Sequence, residues 1–295
     1  MLNKIFNYSY VNKHIIITFF GIRIKLKKNV YKFIKPYHIN FFINGNNNKV
    51  VCIYNNKQYT ISQKTKNIFF QIQGNNNTII FETDKVIKKL PKGIEINIKG
   101  NNNYIKIKNP RFSNSQIYMK GDYNKFELGK TVKNIDCGHL FIENGGECYI
   151  ENDCELGNSM LWCVVNGDLD GEHHKLFIGE GTHIAKDAII RTSDGECIID
   201  NTGKPISQPQ DVIINKHCWI TSRCIILKGA YLPEGTIVAA NSLVNKTFSE
   251  KNCLIAGSPA EIKKKNIHWL ANSYGRAMKE YLENNQSSSC QNENN

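Results

Sequence analysis

The sequence predicts an all-β fold: a parallel β-helix, or β-solenoid, with one extruded loop and a short C-terminal α-helix. Two observations lead to this prediction. Four segments of the first half share a strand, glycine, turn and strand pattern, and the second half carries aliphatic residues at strict six-residue spacing. Repeats of this kind are the signature of stacked supersecondary units, each of which buries its apolar face against its neighbours.

The first segment, residues 1–39, predicts N-terminal strands. Its most apolar stretch is IIITFFGI at 15–22, and its eight residues are far fewer than a membrane span needs. Four basic residues follow between positions 23 and 28, so the segment could dock peripherally on an acidic membrane face. The alternative is an edge strand or hairpin without any membrane contact.

Residues 40–135 predict an irregular, asparagine-rich β-solenoid. The repeated segments read INGNNNKVVCIY from Ile43, IQGNNNTIIFE from Ile72, IKGNNNYIKIK from Ile98 and MKGDYNKFELG from Met119. Glycine and asparagine tolerate positive φ, so they fit a tight turn between two strands. The alternative is an ordinary antiparallel meander with asparagine-rich turns.

Residues 136–265 predict a much more regular coil. One aliphatic residue every six positions places one inward side chain on each flat face of a three-sided prism. Ile150, Leu156 and Trp162 form a weaker set of the same kind. The positions that share one register are Ile178, Ile184, Ile190, Ile214, Ile220, Ile226, Leu232, Val238 and Val244.

The register stops between 191 and 213, where prolines, glycines and short polar residues predict a loop that leaves the coil. Long loops inside regular folds tend to carry function. Beyond the coil, Leu270, Tyr274 and Met278 fall at helical spacing, which predicts an α-helix over 266–285 that packs on the prism. Residues 286–295 predict a disordered tail.

Composition limits the classes of ligand that the protein could bind but does not identify one of them. The net charge of +12 favours anionic ligands, although no aromatic and basic motif typical of nucleic-acid binding is present. The ten cysteines are scattered, with no pair at zinc-ligand spacing, so no metal site is expected. Since no secretory signal is apparent, we expect reduced thiols and a cytoplasmic protein.

The second half resembles the hexapeptide-repeat acyltransferases, in the branch of sugar and polysaccharide O-acetyltransferases. The resemblance covers about residues 140–270. It is carried by IGEGTHIAKDAIIRTSDG, by HCWITSRCIILKGAYLPEGTIVAANSLVNK and by IAGSPAEIKK. It implies a left-handed parallel β-helix, acetyl-CoA as donor, a carbohydrate acceptor and a homotrimer with the donor lying between two subunits.

The resemblance also implies a donor groove. Trp219 matches a tryptophan that lines the active site, and Thr221 stands where the family has glycine. The small residues that border the groove match Ala239, Ala240 and Ser242. Lys246, Pro259 and Lys264 complete the set, with the lysines placed to meet the phosphates of the donor.

The expected catalytic residue is a histidine in the loop, but this sequence reads Ser193-Asp194-Gly195-Glu196. Acyl transfer to a hydroxyl needs a base, and glutamate is a weak base unless burial raises its pKa. One interpretation makes Glu196 that base. A second assigns the role to His173 or His174, about one coil upstream, while Asp194 orients the base or the acceptor. A third is that transferase activity is weak or lost.

These observations lead to one main function and two alternatives. The main prediction is an acetyl-CoA-dependent O-acetyltransferase that modifies a hydroxyl of a surface glycan or its sugar precursor, as in polysaccharide or capsule biosynthesis. An amino-sugar N-acetyltransferase would share donor and fold. A non-catalytic, glycan-binding solenoid is the alternative from a different class, and the glutamate at position 196 favours it.

Overall fold

The computed structural model describes residues 7–11, 14–19, 22–27, 40–54, 57–60, 68–83, 94–108, 115–130, 138–157, 162–166 and 173–271, with five more positions between 275 and 282. These parts contain twenty-seven β-strands. The first three, β1 (Asn7–Val11), β2 (His14–Phe19) and β3 (Ile22–Lys27), form an antiparallel sheet of their own. The predicted membrane contact of this segment stays a prediction.

The other strands form three sheets, and each turn of the chain adds a strand to them in succession. Sheet I contains β4 (Asn40–Asn44), β7 (Ile68–Gln73), β9 (Ile94–Lys99), β11 (Ser115–Lys120), β13 (His139–Glu143), β16 (Trp162–Asn166), β19 (Ile189–Arg191), β22 (Ile225–Ile226) and β25 (Leu243–Val244). Sheet II contains β5 (Lys49–Tyr54), β6 (Lys57–Thr60), β8 (Thr78–Thr83), β10 (Tyr104–Lys108), β12 (Lys125–Leu128), β14 (Glu147–Ile150), β17 (Lys175–Ile178), β20 (Val212–Ile214) and β23 (Tyr231–Leu232). Sheet III contains β15 (Glu155–Leu156), β18 (His183–Ile184), β21 (Trp219–Ile220), β24 (Ile237–Val238), β26 (Leu254–Gly257) and β27 (Ala260–Lys264).

Strand pairing decides between the solenoid and the meander. Successive strands within each sheet are parallel, as in β8 against β10 and β10 against β12. Antiparallel pairing within the three sheets occurs only at described ends of the stack, between β5 and β6 and between β26 and β27. The repeated segments are therefore successive turns of one coil, and the predicted β-solenoid is confirmed. One continuous apolar core runs through it from Cys52 to Ala260.

The six-residue column forms the centre of the prism. Every described member of that column, from Ile178 to Val244, is almost completely buried. A second buried column lies two positions earlier, at Val212, Cys218, Cys224, Ala230, Thr236 and Ser242. Burial of an isoleucine side chain contributes about 1.5–3 kcal/mol, so the two columns together hold the coil closed.

The corners of the regular coil follow the same period. His217, Arg223 and Asn241 have φ of 55°, 59° and 60°, and Gly229 and Gly235 have φ of 75° and 72°. One residue in the left-handed region turns the chain between faces, and asparagine at 241 suits this position because it tolerates positive φ. Ile213 pairs with Tyr231 and Ile220 with Val238, so one turn of the prism takes eighteen residues.

The asparagine-rich half turns its corners differently. Gly74 has φ of 132°, and a Cβ there would lie 2.0 Å from the carbonyl oxygen of Gly100 in the next coil. Behind these glycines, asparagine side chains stack into ladders. In the buried ladder, Asn103 donates from Nδ2 to Oδ1 of Asn77 at 2.9 Å, and Asn124 donates in the same way to Asn103 at 2.9 Å. These side chains supply the polar partners that buried backbone at a wide corner requires.

The extruded loop is present, and the coil resumes beyond it in register. Ile190 of β19 pairs with Ile226, and Ile178 of β17 pairs with Ile214 of β20. Between these strands the chain leaves the prism over residues 192–211, with Ile199 bridged to Pro205. Ile198, Ile199 and Ile206 are about half exposed, which confirms that the loop is expelled from the core.

The C-terminal prediction is partly wrong. Residues 266–271 are not helical, and the described helical positions lie between 275 and 282. Leu270, Met278 and Leu282 are 59%, 39% and 47% exposed, so these apolar side chains do not pack on the prism as predicted. Trp269 makes that contact instead and is only 7% exposed. The predicted tail at 286–295 lies outside the described residues. No helix in the described chain is long and apolar enough to cross a membrane.

Candidate active site

The loop lies on one edge of the prism, where each coil passes from sheet I to sheet II. We call this corner, with residues 44–49, 73–78, 99–104, 120–125, 143–147, 173–175, 191–212 and 226–231, the loop edge. The backbone N–H of Gln210 donates to the carbonyl of Thr192 at 2.9 Å and closes the root of the loop. The asparagine ladders run along this same edge, so both halves of the molecule contribute to it.

Asp194 ties the loop to the next coil. Lys228 donates from Nζ to Oδ2 of Asp194 at 2.5 Å, and the Ser207 hydroxyl donates to the same oxygen. Arg191 also bonds the Asp194 carbonyl at 3.0 Å. Lys228 and then Ser207 hold the pKa of Asp194 below its usual range. Asp194 therefore fixes the loop, whereas the sequence predicted that it would orient the base or the acceptor.

Sequence reasoning did not single out Ser207 or Lys228. The position of Lys228 could have been predicted from the repeat length. Lys228 follows Gln210 by eighteen residues, and one turn of the coil takes eighteen residues, so Lys228 lies one turn beyond the root of the loop. No comparable signal exists for Ser207, because its position depends on the path of an irregular loop.

Glu196 is exposed to solvent at the outer part of the loop. The prediction that Glu196 acts as a base depended on burial, since a desolvated carboxyl is the stronger base. The described part of a single chain does not supply that burial. Cys197, the next residue, is exposed as well.

His173 and His174 approach the root of the loop from the preceding coil. His173 Nδ1 lies 2.7 Å from the carbonyl oxygen of Gly145. Because a carbonyl only accepts, Nδ1 carries the proton, and Nε2 is the basic nitrogen of the neutral ring. His174 Nδ1 lies 3.7 Å from Oδ1 of Asp211, and the His174 side chain is 16% exposed. The predicted approach of these histidines to the loop is thus present at Asp211.

A second edge carries the predicted donor groove. We call the corner from sheet III to sheet I, with residues 185–188, 221–224 and 239–242, the small-residue edge. Ala240 is exposed there and Ala239 is half-buried, so the part of this corner at 239–240 is open to a ligand. Lys186 and Arg223 are exposed in the two preceding turns of the same corner. The Thr221 hydroxyl donates to the carbonyl of Val238 at 2.7 Å and so lies against the coil.

Ser242 was predicted to contact the donor, but the structure buries it. Its side chain is 1% exposed, and its hydroxyl donates to the carbonyl of Ala239 at 2.6 Å. The same oxygen accepts the backbone N–H of Gly257 at 3.2 Å. Ser242 therefore holds the small-residue edge together, because it belongs to the second buried column.

Trp219 lies on the outer face of sheet III and is 40% exposed. Its ring is 5.8 Å from that of Trp269, which stacks on His217 at 4.5 Å and donates from Nε1 to the His217 carbonyl at 2.7 Å. The C-terminal segment thus borders the face that carries Trp219. Sequence reasoning missed Trp269, which has no motif to mark it.

The remaining predicted donor contacts are scattered. Lys246 lies beyond β25, with Nζ 5.4 Å from the ring of Phe248. Pro259 lies in the exposed turn between β26 and β27, and Lys264 is exposed in β27. Within the described part of the chain, neither Lys246 nor Lys264 forms an ion pair, whereas the neighbouring Lys265 bonds Glu250 at 2.9 Å. These two ammonium groups are therefore available to an anionic ligand.

The described chain contains no cluster of three or more His, Cys, Asp or Glu side chains that could hold a metal ion. Burial raises the pKa of the Cys154 and Cys218 thiols to about 12. These thiols are therefore protonated at neutral pH and poor nucleophiles. Among the described residues, the candidate groups for acyl-transfer chemistry are the carboxylates and histidines of the loop edge.

Comparison with known proteins identifies the family, although no family model matches the chain. A polysialic acid O-acetyltransferase of Neisseria meningitidis is 32% identical over 209 residues, which cover 70% of this chain and 91% of that protein. A polysialic acid O-acetyltransferase of Escherichia coli O1:K1 / APEC is 36% identical over 93 residues, or 31% of this chain and 30% of that one.

A solved structure shows the same fold. The crystal structure of NeuO, a polySia-specific acetyltransferase, aligns with a TM-score of 0.53 over 79% of this chain and 89% of that chain, at 24% identity. This agreement confirms the predicted left-handed parallel β-helix, and the Neisseria relative confirms the predicted acyltransferase activity. The chain belongs to the hexapeptide-repeat acyltransferases, in the branch of the polysaccharide O-acetyltransferases.

Proposed function

We propose that this protein transfers the acetyl group of acetyl-CoA to a hydroxyl of a capsule-type surface glycan, with polysialic acid as the first acceptor to test. The observation that carries the proposal is the 32% identity to a polysialic acid O-acetyltransferase, extending over 91% of that relative. Neither alternative, an amino-sugar N-acetyltransferase or a non-catalytic solenoid, is favoured by these relatives. The reaction takes place in the cytoplasm, where the donor is made, and the basic N-terminal segment holds the enzyme near the membrane.

The geometry favours His174 as the general base. Its Nε2 removes the proton of the acceptor hydroxyl while that oxygen attacks the thioester carbon. The carboxylate of Asp211, 3.7 Å from Nδ1, then stabilises the imidazolium that forms. The C–S bond breaks, the acetyl ester remains on the sugar, and the thiolate of CoA takes the proton back from His174. His173, tied to Gly145, positions the neighbouring ring and is the second candidate for the base.

The donor and acceptor residues lie on different edges of one prism. The small-residue edge carries Thr221, Ala239 and Ala240, whereas the loop edge carries His173, His174 and the loop. The face of sheet I separates these edges, and six extended residues span up to about 20 Å. A complete site is therefore formed between two subunits of a homotrimer, with the loop edge of one subunit against the small-residue edge of the next.

Basic groups outside the central column serve the phosphates of the donor. Lys246 and Lys264 are exposed and are the two candidates that have no carboxylate partner in the described chain. Trp219 and the alanines border the pantetheine arm, because their side chains leave an open corner beside an exposed ring. The acetyl-CoA assignment predicts saturable binding in a calorimetric titration, and absence of binding at millimolar donor would contradict it.

Substitution separates the candidate bases. We expect His174→Ala to lower kcat for acetyl transfer about 10²-fold or more, as loss of a general base does. Glu196→Ala leaves kcat near that of the parent, because in this proposal His174 and not Glu196 removes the proton. His173→Ala gives an intermediate loss. Should Glu196→Ala abolish transfer and His174→Ala leave it intact, the assignment of the base is wrong.

Mixed oligomers test the shared site. The variants His174→Ala and Ala240→Arg each disable one edge, so each is inactive alone. When the two are unfolded and refolded together, some interfaces combine an intact loop edge with an intact small-residue edge, and activity returns. Activity that stays at zero in mixtures of confirmed trimers would place the whole site on one chain.

A further inference from the structure

A second candidate site lies in the asparagine-rich half, on the outer face of sheet II beside the loop edge. Here the surface forms a groove with a volume of about 390 Å³. Its walls include Tyr104, Tyr123, Lys125, Glu127 and Glu147. None of these residues belongs to the hexapeptide motifs. Four of them lie on the loop edge, but none was given a role in acyl transfer or donor binding above.

Tyr123 departs from the repeat that surrounds it. The equivalent positions in the three preceding turns are Asn47, Asn76 and Asn102, and all four residues have φ between 57° and 60°. Asparagine tolerates this left-handed conformation, whereas a bulky aromatic residue there is uncommon and costs backbone strain. The ring is 62% exposed, so burial in the chain does not offset that cost. A strained, exposed aromatic side chain points to a binding role.

The groove combines aromatic faces with one ion pair, between Lys125 and Glu127, and with a second carboxylate, Glu147, that accepts a hydrogen bond from a tyrosine. Nζ of Lys125 lies 6.0 Å from the ring centre of Tyr104 and 5.0 Å from that of Tyr149, and it bonds Glu127 at 2.9 Å. The Tyr149 hydroxyl donates to Glu147 at 2.6 Å. A pyranose ring offers the matching chemistry, since its C–H face packs on aromatic rings and its hydroxyls bond carboxylate and amide groups.

The groove is continuous with the loop edge. Oδ1 of Asn124, beside Tyr123, accepts the backbone N–H of Gly145 at 3.0 Å, and that residue in turn contacts His173. The backbone of Glu147 donates to the carbonyl of His174 at 3.0 Å. From β12 through β14 and β17 to β20 are three strand spacings, or about 14 Å. A glycan chain can occupy both places at once, whereas a single sugar cannot.

We propose that the groove around Tyr104, Tyr123 and Lys125 is a remote acceptor subsite that binds sugar units of a polymeric glycan while another unit of the same chain lies at the loop. This proposal rests on the proposed function, because it assumes that the acceptor is a glycan. According to this proposal, the asparagine-rich half makes the enzyme prefer long acceptors to short ones.

Tyr123→Asn tests the subsite without damaging the fold, because it restores the residue that the other turns carry. The probes are long polysialic acid chains and the methyl glycoside of a single sialic acid, with transfer from acetyl-CoA. For long chains we expect KM to rise about five-fold with kcat unchanged, as loss of one stacked ring implies. For the single sugar, which cannot occupy both places at once, KM stays the same. Tyr123→Phe keeps the ring and the parental KM.

Tyr118→Thr is the matched control. Tyr118 stacks on Phe141 at 5.0 Å on the face of sheet I, away from the groove, so its loss should not change the ratio of the two KM values. Equal KM changes for long and short acceptors in Tyr123→Asn would overturn the subsite. An unchanged KM for long chains, with the variant folded, would overturn it as well.

Direct titration keeps this proposal separate from the proposed function. Binding of long polysialic acid is measured without acetyl-CoA, so it does not depend on turnover. If the parent protein binds the polymer and Tyr123→Asn binds it about five-fold more weakly, the subsite stands even where transfer is absent and the proposed activity fails. If the parent does not bind the polymer, or both proteins bind it equally, the subsite is refuted.

Discussion

The two halves of the coil close the same edge by different means. In the hexapeptide half, a turn of eighteen residues leaves corners so tight that one residue of positive φ completes each of them. In the asparagine-rich half, β8 pairs with β10 at an offset of twenty-six residues, and β10 with β12 at an offset of twenty-one. Its wider corners on the loop edge depend on stacked asparagine side chains. The hexapeptide half is thus stabilised by its periodic columns of buried apolar side chains. The asparagine-rich half is stabilised in part by hydrogen bonds between stacked asparagine side chains.

That difference has a functional consequence. A strictly periodic corner leaves little room for variation, so function in the hexapeptide half requires a long insertion such as 192–211. In a ladder of side chains, one residue can be replaced without altering the others. In the fourth repeat, Asp122 and Tyr123 stand where the earlier repeats have asparagine. The polar half can therefore acquire a binding groove without an insertion.

The largest expected effect lies in the apolar column. We expect Ile226→Ala to lower the free energy of unfolding by about 2–5 kcal/mol, since it leaves a cavity in a fully buried column. Ile225, the adjacent residue, is 37% exposed, and Ile225→Ala is the matched control with a loss below about 1 kcal/mol. Chemical denaturation measures both, and equal losses would contradict the apolar account of this half.

A smaller effect is expected in the ladder. Asn103→Ala removes an amide that bonds Asn77 and the Gly121 carbonyl and accepts from Asn124, so buried polar groups lose partners. We expect a loss of about 1–3 kcal/mol in the free energy of unfolding. Asn101→Ala, in the solvent-facing ladder, should cost about 0.5 kcal/mol or less. If both variants unfold like the parent in denaturant, the ladder does not stabilise this half.

The smallest effect concerns the loop clamp. Lys228→Met removes the bonds from Nζ to Asp194 and to the Ser207 hydroxyl and should raise amide exchange in the loop without changing the melting temperature. The pKa of Asp194 is lowered in the folded protein, so the clamp is intact above its unfolded pKa of about 3.9 and weakens as pH falls through the folded value. The parent and Lys228→Met should therefore converge at low pH. A difference as large at low pH as at neutral pH would show that Asp194 is not the main partner of Lys228, because the bond to Ser207 does not depend on that carboxylate.

Prediction from sequence succeeded where residue type and position were both periodic. The column from Ile178 to Val244, the loop that interrupts it and the turn glycines such as Gly74 all follow from spacing alone. Prediction reached less far where the outcome depended on what another segment does. Ser242 matches a small residue of the donor groove, and the structure buries its side chain. Leu270 was predicted to pack on the prism, but it is exposed and Trp269 packs there instead.

The sequence by itself predicted the prism, because nine aliphatic residues in one six-residue register form a single buried column when each face of the coil takes six residues. It also indicated the family through the motifs around Trp219 and Gly257. Only the tertiary structure decided which edge each group occupies. It brought Asp211 to His174, Lys228 to Asp194 and Tyr123 to the same edge as the loop. The physical reason is that the number of residues in each turn and the path of the loop determine which side chains become neighbours in adjacent turns. Neither can be predicted from the residues of one repeat alone.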